Sequence, residues 1–377
     1  MDYTLYKYSL GIALVLMLFF AFYFLLAKTP EKPIFGNYKR SRRIMAVALL
    51  VLSANYSVHL FGGLRFNNPD AAILMNLSTY YLSYWLFSAA LISLLDRFFL
   101  TKKCCLIHLS SWLAFTILSC VILFVFPKGT WQHAGILLMA LWLLPYGIYL
   151  AHRIINTYHQ AVRLFDDTHS EDISAYIRWM SVFTWWAVIY GVSCGLLTFL
   201  PDEYVFLWIL SSIPFYIYLY CSYMNYLLFY EQVENILKIA TPEVSAGKAE
   251  DTPKEVKDNS WLTNDIPAYH SIIKKNLTGW FAQDGYTRPG LNIEQLAVEL
   301  GTNRTYLSAY IKQTYQMSFR EWIAGLRIEY AKRMFVANPR ASVSEVSESA
   351  GFLSQSYFIK IFTEKEGTSP AKWKKLN

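Results

Sequence analysis

The sequence predicts an all-α protein in three parts. Residues 1–230 form a seven-helix transmembrane bundle, 231–264 a helical extension and flexible linker, and 265–377 a cytoplasmic domain of two tandem helix-turn-helix units. Three observations predict it. Hydrophobic residues make up 55% of the 377 and charged ones only 16%, against about 25% charge in an average soluble chain. The first 230 residues hold 15 Lys+Arg and 10 Asp+Glu, separated by seven long gaps with no charge. After residue 264 charge returns, and two short-helix pairs with glycine turns flank one long amphipathic helix. With Gly 17, Pro 13 and Cys 5, the composition excludes collagen, disorder and a disulfide scaffold.

The charge-free runs are Tyr8–Ala27, Ile44–Leu64, Ala71–Leu95, Cys104–Pro127, Gly129–His152, Trp179–Pro201 and Tyr204–Tyr230. A helix needs about 20 apolar residues to cross a hydrocarbon core of roughly 30 Å. The runs are too long and continuous for barrel strands. Orientation follows from Lys and Arg in the short loops. One side carries 12: Lys28, Lys32, Lys39, Arg40, Arg42, Arg43, Arg97, Lys102, Lys103, Arg153, Arg163 and Arg178. The other carries 3: Lys7, Arg65 and Lys128. The expected arrangement is a membrane crossed several times, with the N-terminus outside and the tail in the cytoplasm. The first helix lacks the basic start and the cleavage site of a signal peptide.

No Asp, Glu, Lys or Arg interrupts a predicted span, which disfavours a pump or coupled transporter. The outer loops are too short for an exterior sensory domain, so a signal has to enter among the helices. Asn55, His59, Asn76, Tyr80, His133 and Tyr190 are the candidate signal pocket, suited to a small apolar or membrane-accessible ligand. Tyr84 and Trp131 belong with them as interfacial aromatics. Gly191-Val-Ser193-Cys-Gly195 fits the nucleophile-elbow pattern, but that pattern needs a strand–turn–helix setting. In an apolar helix, with no His in the sixth or seventh span, it reads as a close-packing Gly-x-x-x-Gly. The cysteines form no Cys-x-x-Cys pair, so neither a metal nor a cofactor is expected. No catalytic set stands out.

The seventh span continues into Glu231–Ala240, where Phe229, Val233, Ile236 and Ala240 share one side and form a candidate homodimer seam. Thr241–Ser260 is polar and reads as a linker.

In the tail, Ile266–Ala282 has helical spacing. Leu291–Ala297 and Arg304–Tyr315 form a first short pair around Gly301, with Asn303 as N-cap. Val343–Ala350 and Gln355–Lys365 form a second around Gly351-Phe352, capped by Ser354. Phe319–Ala337 lies between them. Its 19 residues span roughly 28 Å, which holds two reading helices about one DNA turn, roughly 34 Å, apart.

The stretch Ala350-Gly-Phe-Leu-Ser-Gln-Ser-Tyr-Phe-Ile-Lys-Ile-Phe362, followed by Gly367-Thr-Ser-Pro370-Ala-Lys-Trp373, resembles the AraC/XylS family of bacterial transcription regulators. So do Leu296-Ala297, Asn303-Arg-Thr-Tyr-Leu307 and Leu326-Arg-Ile-Glu-Tyr-Ala331. The resemblance covers about Ile266–Lys375, less than a third of the chain. It implies a non-enzymatic regulator that binds double-stranded DNA, with RNA polymerase as a further partner. Carried onto this sequence, the first reading helix presents Arg304, Thr305, Ser308, Ala309 and Lys312, with Leu307 and Ile311 inward. The second presents Gln355, Ser356, Ile359 and Lys360, with Phe358 and Phe362 inward. Arg327, Lys332, Arg333, Lys372, Lys374 and Lys375 are candidate phosphate contacts. The combined expectation is a membrane-bound, sequence-specific regulator that couples a membrane signal to promoter binding. The competing readings are a receptor or carrier whose tail binds protein, and an intramembrane hydrolase using Ser193.

Overall fold

The computed structural model describes residues 3–197, 205–240 and 266–376. Its elements are helical, apart from one antiparallel bridge between His169 and Asn292. The chain divides into two compact units, Met1–Ala161 with Tyr176–Ile239, and Val162–Ala175 with Ala240–Asn377. The sequence placed Val162–Ala175 in the membrane part; its contacts place it in the C-terminal unit.

In the first unit seven long helices overlie the seven charge-free runs. They are α1 (Tyr3–Leu26), α2 (Gly36–Gly62), α4 (Pro69–Leu95), α5 (Lys102–Phe124), α6 (Thr130–Thr168), α7 (Arg178–Leu197) and α8 (Val205–Ala240). A short α3 (Leu64–Asn67) links α2 to α4. Among the described residues four stretches are long and apolar enough to cross a membrane: Thr4–Leu26, Pro33–Gly62, Lys102–Phe124 and Thr130–Thr168. The fourth and fifth runs are separate helices. α4 misses that test because it carries Asn76, Thr79, Ser78, Ser83, Ser88, Ser93 and three tyrosines. Much of α4 is buried, packed on α2 and α5, so several of these groups meet protein partners. Ser78 shares a 2.6 Å hydrogen bond with Thr116, and Tyr81 one of the same length with Ser111. Residues 198–204, between α7 and α8, and 241–265, most of the expected linker, lie outside the described residues.

Two sequence expectations change here. α6 runs on to Thr168 instead of ending near His152, because Ile154, Ala161 and Phe165 continue a buried stripe at helical spacing. Two residues of the candidate homodimer seam on α8 already have contacts within the chain. Val233 is fully buried within the single chain, and Phe229 stacks on Tyr176 with ring centroids 4.2 Å apart. The side chains of Ile236 and Ala240 lie outside the described part. Ser193 sits inside α7, a helix and not a strand-to-helix elbow.

The C-terminal unit holds α9 (Ile266–Ala282), α10 (Ile293–Glu299), α11 (Arg304–Tyr315), α12 (Phe319–Ala337), α13 (Val343–Ser349), α14 (Gln355–Glu366) and α15 (Pro370–Leu376). Their starts are written in capping residues. Asn303 Oδ1 accepts the Tyr306 amide at 2.9 Å, and Ser354 Oγ accepts the Tyr357 amide at 3.3 Å. Ser318 with Glu321, and Ser342 with Glu345, close reciprocal capping boxes. The backbone amides of those serines hold both glutamates below the usual carboxylate range.

Two apolar cores share α12. Trp322 and Ile323 join Leu277, Trp280, Leu296, Leu307 and Ile311 in the first. Ile328, Ala331 and Phe335 join Val346, Phe352, Phe358 and Phe362 in the second. One helix contributing to both cores fixes the two helix-turn-helix units to each other.

Both turns need a left-handed glycine, but in different surroundings. Gly351 has φ +86°, and a Cβ there would lie 2.1 Å from the Thr287 carbonyl oxygen. Gly301 has φ +66° with only Asn276 Nδ2 at 4.0 Å. Gly301→Ala should therefore cost about 1 kcal/mol. Gly351→Ala should cost at least about 3 kcal/mol, because strain adds to a backbone overlap. Thermal unfolding of the two variants checks the order, and equal losses would contradict it.

Candidate nucleic-acid interface

α11 and α14 each follow a tight glycine turn, and each has one buried and one outward face. On α11, Leu307, Tyr310 and Ile311 are buried. Thr305 and Lys312 are exposed, while Arg304, Ser308 and Ala309 are half-buried. Residues 305, 308, 309 and 312 follow i, i+3, i+4, i+7 and so share one face. On α14, Tyr357, Phe358 and Phe362 are buried, and Gln355, Ser356, Ile359 and Lys360 are exposed. Ile359, an apolar side chain on an outward face, suits a thymine methyl; Gln355 suits adenine and Lys360 suits guanine or phosphate.

Arg327 is corrected by the structure. It was expected to reach phosphate, yet it is 0% exposed. Its Nε donates to the Tyr286 carbonyl at 2.9 Å and its Nη2 to the Arg288 carbonyl at 2.8 Å. Nη2 also reaches Ser170 Oγ at 3.4 Å, and Nη1 donates to Glu171 at 3.0 Å. The guanidinium carbon lies 5.5 Å from the Phe352 ring centroid. Burial works against its charge, and the Glu171 carboxylate opposes that effect. Lys374 donates to the Ala341 carbonyl at 2.7 Å, which ties α15 to the turn before α13. Lys332 pairs with Glu329 and Glu366, and Arg333 with Asp284. Lys372 and Lys375 are exposed.

Sequence reasoning missed the segment that ends α6. Asp167 Oδ2 lies 2.7 Å from Lys312 Nζ, so a carboxylate already holds the ammonium group on the outward face of α11. Arg320 pairs with Asp166 at 3.2 Å and with Asp172 at 2.9 Å. The Ser170 amide donates to the Leu291 carbonyl at 3.1 Å, beside the His169–Asn292 bridge. Burial pushes the His169 imidazole down to about 4, and the positive charge of Arg304 acts in the same direction. His169 is therefore neutral at pH 7 where it is docked. A signal was present in the sequence: Asp166, Asp167, Glu171 and Asp172 are four of the ten acidic residues among the first 230, all between positions 166 and 172.

A profile for a helix-turn-helix domain matches residues 296–376. The chain is 28% identical over 108 residues to the Msm operon regulatory protein of Streptococcus mutans serotype c, covering 29% of this chain and 36% of that protein. The C-terminal unit carries an AraC-type DNA-binding domain. The virulence regulon transcriptional activator VirF of Yersinia enterocolitica is 31% identical over 91 residues, 24% of this chain and 33% of that protein. The melibiose operon regulatory protein of Escherichia coli K12 is 24% identical over 114 residues, 30% of this chain and 37% of that protein. The chain thus spans about a third of the length of each of these curated relatives. No solved structure matches it. Among the described residues no group of three His, Cys, Asp or Glu is placed to hold a metal ion.

Within the AraC-type domain, base readers and phosphate contacts should separate experimentally. Gln355→Ala and Lys360→Ala should alter base preference by about 1–3 kcal/mol at the contacted position. Lys312→Ala should weaken all sequences alike and flatten the salt dependence by about one phosphate contact. Affinities of the full chain for a panel of single-base duplex variants, at three salt concentrations, check this. Uniform scaling by all three variants would remove α14 from base reading.

Proposed function

We propose that this protein is a membrane-bound, sequence-specific transcription regulator that couples a signal arriving among its membrane helices to promoter occupancy. The observation that carries the reading is the pair of outward faces on α11 and α14, held by two cores that share α12. Its partners are double-stranded DNA, the membrane and, at the promoter, RNA polymerase. The four crossing-capable stretches and the excess of Lys and Arg on one side support a cytoplasmic membrane location. In that topology the N-terminus is outside and the DNA-binding domain is in the cytoplasm.

For signal entry, the first unit contains a cavity of about 150 Å³ lined by residues of α2, α4, α6, α7 and α8. Tyr80 and Tyr190, two of the expected pocket residues, line it with Tyr84 and Phe183. Ser83 and Ser88 also line it, and their buried hydroxyls have no hydrogen-bond partner among the described residues. An uncharged, mainly apolar ligand with one or two hydrogen-bonding groups fits that lining. The other expected pocket residues lie elsewhere. Asn76 Oδ1 accepts from Asn55 at 3.0 Å and is 2.8 Å from His59 Nε2, so these three form a cluster of their own. His133 is exposed, 3.7 Å from Asp70.

Two measurements test this reading together. Alkaline phosphatase fused at Asn68 or Asp202 should be active outside the membrane, whereas fusions at Lys102 and Lys248 should be inactive. Genome-wide footprinting of the intact membrane-bound protein should find sites with two contacted segments one helical turn apart. Reversed fusion activities would overturn the topology. Correct topology with no protected DNA would favour the protein-binding tail.

A further inference from the structure

We propose that the segment Asp166–Asp172 is a built-in competitor of DNA, docked on a matching cationic surface of the DNA-binding domain and occupying part of its first reading face. The inference rests on the DNA-reading function above and adds its regulation. The segment belongs to the same compact unit as the domain, and its first acidic pair lies in the last turn of α6.

The surface is built to receive it. Four carboxylates meet three cations from two helices: Asp167 with Lys312 of α11, Asp166 and Asp172 with Arg320 of α12, and Glu171 with Arg327 of α12. Arg320 is mostly covered and Arg327 wholly so. These are oriented ion pairs, three of them with donor–acceptor distances of 3.0 Å or less. Backbone pairing fixes the register, through the Ser170 amide and the Leu291 carbonyl and through the His169–Asn292 bridge.

The competition follows from what each ion pair occupies. A phosphate oxygen reaching Lys312 needs the position now taken by Asp167 Oδ2 at 2.7 Å. The domain's two reading faces differ accordingly. Gln355, Ser356, Ile359 and Lys360 are all exposed, while on the first face Lys312 is ion-paired with Asp167 and Arg304 with Glu294 of α10. The chain in this state presents its second face and holds back its first. Four acidic groups beside that face also repel the duplex backbone, an effect that fades over roughly 8 Å at physiological salt.

Two sets of variants of the full chain, in lipid nanodiscs, test the proposal against a duplex selected from a random-sequence pool by the wild type. Asp166→Asn with Asp167→Asn should raise DNA affinity by about fivefold at low salt and less at high salt. Asp96→Asn, outside the docking segment, should change nothing. The second set locks the segment: His169→Cys with Asn292→Cys, in a chain whose five native cysteines are serine. Its oxidised form should bind DNA at least tenfold more weakly than its reduced form, the reduced form serving as the control for the lost N-cap. Unchanged affinity in the neutralised variant, together with equal affinity of oxidised and reduced lock, would overturn the proposal. So would a fall in affinity on neutralisation, which would make the segment a structural strut. A wild type that selects no duplex would instead overturn the DNA-reading function itself.

Discussion

The C-terminal unit depends on one buried guanidinium. An unpaired charge in a protein interior costs several kcal/mol, and removing one partner of a buried pair typically costs about 3–5 kcal/mol. Arg327 meets that cost with the carbonyls of Tyr286 and Arg288, the Glu171 carboxylate and the Phe352 ring. Those groups come from the turn before α10, the turn before α14 and the segment after α6. A single side chain on the shared helix therefore ties both helix-turn-helix units and the docking segment to one point.

That tie explains why the glycine at the second turn has no room. Gly351 approaches the Thr287 backbone closely, and Arg327 binds the carbonyls on either side of it, those of Tyr286 and Arg288. Rigid spacing of α11 and α14 then needs no partner chain, since α12 contributes to both cores. The proposed regulation therefore needs no assembly of two halves. Covering one of the domain's faces is the control that this geometry offers. The burial of Val233 and the stacking of Phe229 on Tyr176, both within the single chain, point the same way.

The DNA-binding half was legible because its boundaries are local. Asn303, Ser318, Ser342 and Ser354 each cap the helix that follows, and Gly301 and Gly351 each occupy left-handed turns. The observed bounds of α9, α11 and α12 match the periodicity of the sequence for the same reason. Arg327 was not legible. In sequence it is one cation among several on a helix, and its fate is set by carbonyls about 40 residues away and a carboxylate 156 residues away. The docking segment was hidden differently. Its loop was read for Lys and Arg, which set orientation, while its four acids carried the contact. Reading charge gaps also ended α6 too early, because a helix can leave the apolar region without ending.

The central claim is that docking of the 166–172 segment and DNA binding exclude each other. Hydrogen exchange at the Ser170 amide reads this directly, since that amide donates to Leu291 across the docked contact. In the full chain without DNA it should be protected. With saturating duplex its protection should fall by at least tenfold, while buried α12 amides such as that of Ile328 stay protected. Equal protection of Ser170 with and without DNA would contradict the account.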